Sequence, residues 1–484
     1  MRCYRVVSFL VLSLMVSCAS RSDRWPQFRG PEAQGVSASG ALPVDFGPDR
    51  GVAWKVSIVS GISSPCVWGD RLFITGYDKE SKQLMVACLD RHDGRVMWQD
   101  APAADAIEPV HEVSSPASAT PVTDGRHVYV FFGSIGLLCY DYQGNERWRV
   151  PLGPFGYMFD WGEAASPVLC GDAVIQNCDN DDESFLISVN KRTGTINWRT
   201  ERPLATVSYA TPTVWKSTAG TRLAVAGSGA LTFYDPANGS EIAQVTGLPR
   251  IVNPTPIVAD GLLYVMAYSR GEPSRDTAEV LMTFKDKNKD GMLSKDELPE
   301  SMSSKFARGD TDKDGQLTRE ELKGVFKWAQ SNPGGGEILM AIRPGGTGDI
   351  TDSHVVWQYR RSIPYVPSPL IVHDRIYIAK DGGIATCVDA KTGEPLWGPT
   401  RLDAQGSYYA SPVYGDGKIY FISERGVVTV VADAPEFTKL AQNDLGSGCK
   451  ATPAIVGDLL YVRTDETLYC FTSQSQTVLA AAGG

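Results

Sequence analysis

Histidine is scarce in this chain, five in 484 residues. His92, His127 and His373 fall at or beside turns, His111 in a polar connecting segment and His354 just before a strand pattern. None stands with a serine, a cysteine or an acid in a recognisable nucleophile motif. No Cys-x-x-Cys occurs, no Cys/His cluster has zinc spacing, and no two cysteines are adjacent. A run of five basic residues is also missing. With a formal charge of −10, nothing would attract nucleic acid or an anionic lipid surface. There is no glycine-rich phosphate loop, and Gly334-Gly335-Gly336 reads as a flexible linker. The long apolar run is Val6–Val16, too short for a stable membrane span.

What is present is the composition of a folded chain, 43% hydrophobic and 21% charged. Its 48 glycines and 30 prolines indicate many tight turns between short strands. Arg2 and Arg5 ahead of the apolar run mark an export signal. Its end, Leu14-Met15-Val16-Ser17-Cys18-Ala19-Ser20, resembles a bacterial lipoprotein signal, with Cys18 as the lipidated first residue of the mature chain. Cleavage after Ala19 is the alternative, and both export the protein to the periplasm or outer membrane. A lipid on Cys18 would be the chain's sole membrane attachment. Export permits disulfides, yet Cys88, Cys139, Cys387 and Cys470 sit inside apolar strand patterns, as small buried hydrophobes do.

A Ser/Thr-Pro step followed by a turn and an apolar strand recurs at Pro65, Pro121, Pro167, Pro212, Pro256, Pro369, Pro412 and Pro453. The spacing is 41–46 residues except for 56 between Pro65 and Pro121 and 113 between Pro256 and Pro369, where removing an insertion of about 65–70 residues restores roughly one period. Four short strands per unit predict an all-β, eight-bladed β-propeller. The last unit, Ala451–Phe471, is one strand short. Gly51–Val56 reads as that strand and would close the ring, removing exposed edges. Trp54, Trp98, Trp148, Trp198, Trp357 and Trp397 open the fourth strands and should pack blade on blade, with Ile242 and Leu440 in their place in two blades. The boundaries expected are a signal at 1–18, propeller at 24–272 and 334–473, an inserted pair of helical loops at 273–333, and a tail at 474–484.

The insertion lies between Leu262–Ala267 and Ile338–Ile342, neighbouring strands of the fifth blade. It holds two acidic loops. Asp286, Asn288, Asp290, Met292, Ser294 and Glu297 occupy positions 1, 3, 5, 7, 9 and 12 of the first; Asp310, Asp312, Asp314, Gln316, Thr318 and Glu321 do so in the second. Calcium takes six to eight oxygens, so short acidic or amide side chains must alternate, with a glycine (Gly291, Gly315) at the sharp turn. These loops resemble the EF-hand family and predict two Ca²⁺ sites, bridged through Leu293 and Leu317. Hydrophobic support should be thin: Val280, Leu281, Phe284, Phe306, Leu322 and Phe326.

The phrases Asp389-Ala-Lys-Thr-Gly-Glu-Pro-Leu-Trp397, Asn190–Trp198 and Asp90–Trp98 resemble the pyrroloquinoline-quinone (PQQ)-like repeat. The opening Trp25-Pro-Gln-Phe-Arg-Gly-Pro31 resembles the start of exported bacterial propellers similar to BamB. The resemblance covers nearly the whole mature chain outside the insertion and implies one of three roles. A quinoprotein alcohol or sugar dehydrogenase would hold PQQ on the axis against an adjacent-cysteine disulfide, which this chain lacks, so PQQ is not expected. Asp160-Trp161 and Glu163, in the aromatic loop Phe155–Trp161, read as a cover over one channel mouth rather than as a base. A BamB-like assembly factor is the second role. The expected one is a monomeric, non-catalytic, calcium-binding scaffold for an envelope protein or polymer. The acidic run Asp179–Glu183 reads as a solvated hairpin tip, not a metal site.

Overall fold

The computed structural model describes residues 23–38, 40–157, 160–181, 183–271, 277–298, 306–307, 309–325 and 334–473. Cys18, the leader and the tail from 474 lie outside the described residues. Eight antiparallel sheets, each built on four strands, form the blades of a β-propeller. In seven blades the four strands follow one another along the chain. In the eighth, Val52–Ser57 pairs with Thr467–Thr472 in the register Trp54↔Cys470, so the N-terminal strand closes the ring.

The recurring tryptophans hold blade to blade. Each indole N–H donates to a carbonyl of the following blade: Trp54 to Arg91 (2.9 Å), Trp98 to Tyr142 (3.0 Å), Trp148 to Lys191 (3.1 Å), Trp198 to Pro236 (3.0 Å), Trp357 to Ala390 (3.1 Å) and Trp397 to Ala434 (3.3 Å). The carbonyl belongs to the turn that the repeat signature encodes. In that turn Asp389 accepts the amides of Lys391 and Thr392, and the Gly393 amide bonds back to the Asp389 carbonyl. The turn glycine lies flat on the indole of the preceding blade. A Cβ on Gly94 would stand 2.6 Å from Trp54, and one on Gly194 2.9 Å from Trp148. The signature Asp…Gly…Trp is thus half of two contacts: its turn receives one indole and its tryptophan supplies the next.

The cysteines belong to the same device. Across the strand pair, Trp98 faces Cys88, Trp148 faces Cys139, Trp397 faces Cys387 and Trp54 faces Cys470. Ser188 and Ala341 face Trp198 and Trp357. A small side chain opposite leaves room for the indole, and all four thiols are buried and free. In the two blades without tryptophan the register corrects the expectation. Ile242 and Leu440 are the residues skipped at the bulge, as Met97 is in the first blade. Ala243 and Ala441 hold the tryptophan position, facing Phe233 and Val430. Sizes are exchanged across the pair, and Leu440 remains 43% exposed.

The glycine contact gives a direct test. Gly194→Ala is expected to cost about 2–4 kcal/mol, from a left-handed backbone (φ +73°) plus overlap with Trp148. Gly171→Ala, also left-handed (φ +61°) but facing open space, should cost only about 1–2 kcal/mol. Urea midpoints of the two variants would measure the difference.

Residues 24–38 and 40–50 seal the ring from one side. Arg24–Trp25 pairs with the innermost strand of the first blade, Trp25 opposite Val67. The chain then crosses the axis. The Pro26 carbonyl accepts the Thr123 amide, Gln34 Nε2 donates to the Val258 carbonyl, and Val36 bridges Tyr414. Arg29, fully buried, donates to the carbonyls of Ala33 (3.2 Å), Gln34 (3.1 Å) and Pro369 (2.7 Å). Gly30 (φ +70°) lies on the Trp25 indole. The segment Trp25–Val36, which opens with the Trp25–Pro31 phrase, is therefore a plug through the axis, touching the first, second, fifth, sixth and seventh blades.

Candidate functional site

Two places concentrate functional chemistry, and both lie toward the face opposite the plug. Strands Leu262–Ser269 and Gly336–Ile342 pair from Leu263↔Ile342 to Ser269↔Gly336, so the insertion leaves a hairpin of the fifth blade. The corresponding hairpin of the sixth blade carries Asp381, at the mouth of the axial cavity.

Within the insertion the two loops share one backbone. Lys289 and Lys313, at position 4, both have φ 62°, and Gly291 and Gly315 have φ 82° and 84°. Leu293 stands opposite Leu317 and Ser294 opposite Gln316 in a short antiparallel bridge. In the first loop Asp286 Oδ2 accepts the Gly291 amide (2.9 Å), Asn288 Oδ1 the Asp290 amide (2.9 Å) and Asp290 Oδ1 the Met292 amide (2.8 Å). Asp310, Asp312 and Asp314 repeat this with the amides of Gly315, Asp314 and Gln316. Glu297 accepts from the backbone of Ser294, Lys287 and Asn288, which holds its carboxyl below the usual range. Backbone and hydroxyl donors of Thr318 and Thr311 hold Glu321 at about 2.

The ligand oxygens of Asp310, Asp312 and Asp314 lie within 4.8 Å of one another. Asp310 Oδ1 is buried and accepts no hydrogen bond, as is Gln316 Oε1. Three like charges gathered around an orphaned oxygen fit a hard cation. Ala278, Leu281, Leu293, Leu298, Phe306, Leu317 and Leu322 form a core of the insertion's own. Phe284 departs from expectation, being 62% exposed: it is turned to solvent while Ala278 and Leu281 face the core. Phe326 lies outside the described residues.

The second place was not legible as a site in the sequence. The residues before the recurring prolines form a ring of hydrogen bonds around the axis that is continuous except between Thr211 and Thr255. The Ser64 amide donates to Thr120 Oγ1 (3.0 Å), Thr120 to Ser166 (2.9 Å) and Ser166 to Thr211 (3.0 Å). Thr255 donates to Ser368 (3.0 Å), Ser368 to Ser411 (3.0 Å), Ser411 to Thr452 (3.0 Å) and Thr452 back to Ser64 (3.1 Å). These hydroxyls line a cavity of about 290 Å³ on the axis, floored by Phe28 of the plug. Its upper wall comes from the connections between blades: Trp161, Tyr209, Asn253, Tyr365, Tyr409 and Lys450 among others. The Ser/Thr-Pro periodicity was the available signal, but it reads equally well as a strand start.

Of the aromatic loop, Trp161 stacks on His111 (4.3 Å between ring centroids) at the cavity, as a covering loop requires. Glu163 turns away into the core. Its Oε1 accepts the amides of Ala164 and Ala165, and its Oε2 the Tyr157 hydroxyl (2.7 Å). Burial pushes Glu163 up to about 8 and its neighbour Glu108 to about 7.

The acidic hairpin corrects the expectation in part: Glu183 is exposed, as a solvated tip requires, and Asp182 lies outside the described residues, but the first three residues are not solvated. Asp179, Asn180 and Asp181 are buried, at 1%, 2% and 1% exposure. Asp179 is not solvated but forms a two-pronged pair with Arg202, at 2.7 and 3.0 Å. Arg202 reaches it from the next inter-blade connection, a partner that local pattern does not reveal.

Among the lining residues, Lys450 is the one cation, offset by Asp381. PQQ carries three carboxylates beside its quinone. This donor set, in a chain without adjacent cysteines, does not fit it.

These features define a PQQ-repeat propeller plugged at one mouth, open at the other, with an acidic loop pair on its open side. The sequence model of the family described as outer membrane protein assembly factor BamB matches residues 47–156, 85–298 and 347–481, and the chain belongs to that family. Outer membrane protein assembly factor BamB of Yersinia pestis is 25% identical over 248 residues, 46% of this chain. The chain spans 57% of that relative's length. The structure of BamB from Moraxella catarrhalis matches with TM-score 0.53 at 13% identity, over 86% of this chain and 98% of that one. A europium-containing methanol dehydrogenase matches with TM-score 0.50 at 10% identity, over 93% and 98%. An assembly factor and a dehydrogenase thus share this fold, which leaves function to the sites.

Proposed function

We propose that this chain is an exported, calcium-binding propeller that acts as a non-catalytic scaffold for a protein or polymer of the bacterial cell envelope. The convergence of Asp310, Asp312 and Asp314 around the unpartnered Asp310 Oδ1 carries the calcium reading. In the first loop Asp286, Asn288, Asp290, Ser294, Glu297 and the Met292 carbonyl would hold one ion. In the second, Asp310, Asp312, Asp314, Thr318, Glu321 and the Gln316 carbonyl would hold the other. Bound calcium would neutralise three carboxylates in the first loop and four in the second and order the insertion, while the propeller folds on its own contacts. The relative's designation as an assembly factor supports an envelope partner, and lipid on Cys18 would keep the scaffold at the membrane. The unsuitable donor set of the axial cavity speaks against a quinone enzyme.

Calorimetric titration of the mature chain should show calcium uptake at about 10⁻⁴–10⁻³ M, the range of extracellular modules. In Glu297→Ala with Glu321→Ala the heat should vanish, with the urea transition of the propeller unchanged. A wild-type chain that takes up no calcium ends the calcium reading. Crosslinking in intact cells with and without a chelator, read by mass spectrometry, should recover an envelope partner. Recovery of none would end the scaffold reading.

A further inference from the structure

The axial cavity is built for a ligand of a definite kind, and its chemistry is separate from that of the calcium loops. The hydroxyls of Ser64, Thr120, Ser166, Thr211, Ser368, Ser411 and Thr452 accept backbone amides around the circle, as above. None of them donates its own O–H to another described residue. A hydroxyl that has accepted one bond still has a hydrogen to give and a lone pair to offer. The cavity is therefore lined above Phe28 by a crown of two-way hydrogen-bonding groups, each residue only 1–3% exposed and fixed by its backbone. The Tyr209 hydroxyl is a second unspent group, buried and without a partner. Above the crown, Trp161, Tyr365 and Tyr409 present partly exposed aromatic surface. Charge is nearly balanced, with Lys450 lying over the Tyr409 ring (5.9 Å) and Asp381 accepting the Tyr408 amide (2.9 Å).

Each ligand class meets this lining differently. A phosphate or polycarboxylate would find one amine. An aliphatic chain would cover the crown and leave its hydroxyls unpaired. A saccharide matches on both counts: its C–H faces lie against aromatic rings, and its hydroxyls both donate and accept. At about 290 Å³ the space is at the small end for ligand sites and suits one or two sugar rings, not a long chain. We propose that the open end of the axial cavity binds a neutral mono- or disaccharide unit, with Trp161 and Tyr365 stacking on the ring and the hydroxyl circle and Tyr209 reading its hydroxyl edge.

The test uses the mature full-length chain in calcium. Saturation-transfer NMR and quenching of tryptophan fluorescence are followed with glucose, N-acetylglucosamine, maltose and diacetylchitobiose, and with PQQ and benzoate as comparators. At least one saccharide should bind saturably. Trp161→Ala and Tyr365→Ala should each weaken it by about tenfold or more, and Tyr209→Phe, which removes one oxygen and keeps the ring, by about fivefold. Leu204→Ala, outside the cavity lining, should leave it unchanged. The proposal is overturned if no saccharide binds, if binding survives all three cavity variants, or if only the carboxylate comparators bind. Loss of this site leaves calcium uptake untouched, so either reading can fail alone.

Discussion

Asp179→Ala should lower the unfolding free energy by about 3–5 kcal/mol, because it strands a buried guanidinium. The Arg202 and Asp179 side chains are 4% and 0% exposed. Arg202 spends Nε and Nη2 on the carboxylate and Nη1 on the Tyr234 hydroxyl (2.6 Å). Burial pulls the Arg202 pKa down, but Asp179 and Tyr234 raise it by more; without Asp179 the burial cost falls on a guanidinium whose high intrinsic pKa keeps it charged. Replacing both members, Asp179→Leu with Arg202→Met, removes the uncompensated charge and should recover most of the loss. Urea denaturation of the two variants would distinguish the cost of a broken pair from the cost of its absence. The pair also anchors the start of the connection that carries Tyr209 and Thr211 to the cavity. The single variant should therefore loosen that wall, seen as faster amide exchange across 203–211.

Between about pH 5 and pH 8 the protein should lose stability as pH rises, and Glu108→Gln should remove a large part of that slope. Glu108 is 7% exposed, and neither of its oxygens meets a hydrogen-bonding side chain. Glu163 and Tyr157 are its titratable neighbours. Both folded carboxyls titrate above the ordinary value of 4.5, Glu108 at about 7 and Glu163 at about 8. An unfolded chain surrenders these protons near 4.5, whereas the folded chain keeps them, so the folded state binds more protons in that window. Stability from this source is therefore complete below about pH 4.5 and falls as pH climbs through the folded values. For Glu108 the shift corresponds to about 3 kcal/mol. The amide variant keeps shape and gives up titration. Its denaturation midpoint at pH 8 should exceed that of the wild type, while at pH 5 the two should be close. Carboxylates held low, such as Asp389 and Asp433, act with the opposite sign near and below pH 4, outside this window.

The legible features are those whose cause is local. A turn needs its Asp and its left-handed glycine within five residues, so the phrases Asp90–Trp98 and Asp389–Trp397 betray each blade on their own. The twin acidic loops are likewise read from twelve consecutive positions. Partial legibility shows at Ile242 and Leu440. A one-residue bulge moves the tryptophan position to Ala243 and Ala441, and a bulge is visible only when the neighbouring strand is in place. Cys88, Cys139, Cys387 and Cys470 were rightly read as buried thiols, but their reason, an indole across the strand, required the register.

Blade count, ring closure by Val52–Ser57 and the twin acidic loops followed from periodicity and short-range spacing, because the repeat unit writes its own turns and strands. Which residues meet at the axis did not. Arg29 and Pro369 are 340 positions apart, and Thr452 and Ser64 are 388 apart. The plug, the circle of hydroxyls and the cavity they frame exist only because closing eight blades brings distant parts of the chain within hydrogen-bonding reach, whereas the Asp179–Arg202 pair, 23 positions apart, needs the strands of one blade in register. Burial then sets the charge and pKa of whatever arrives there.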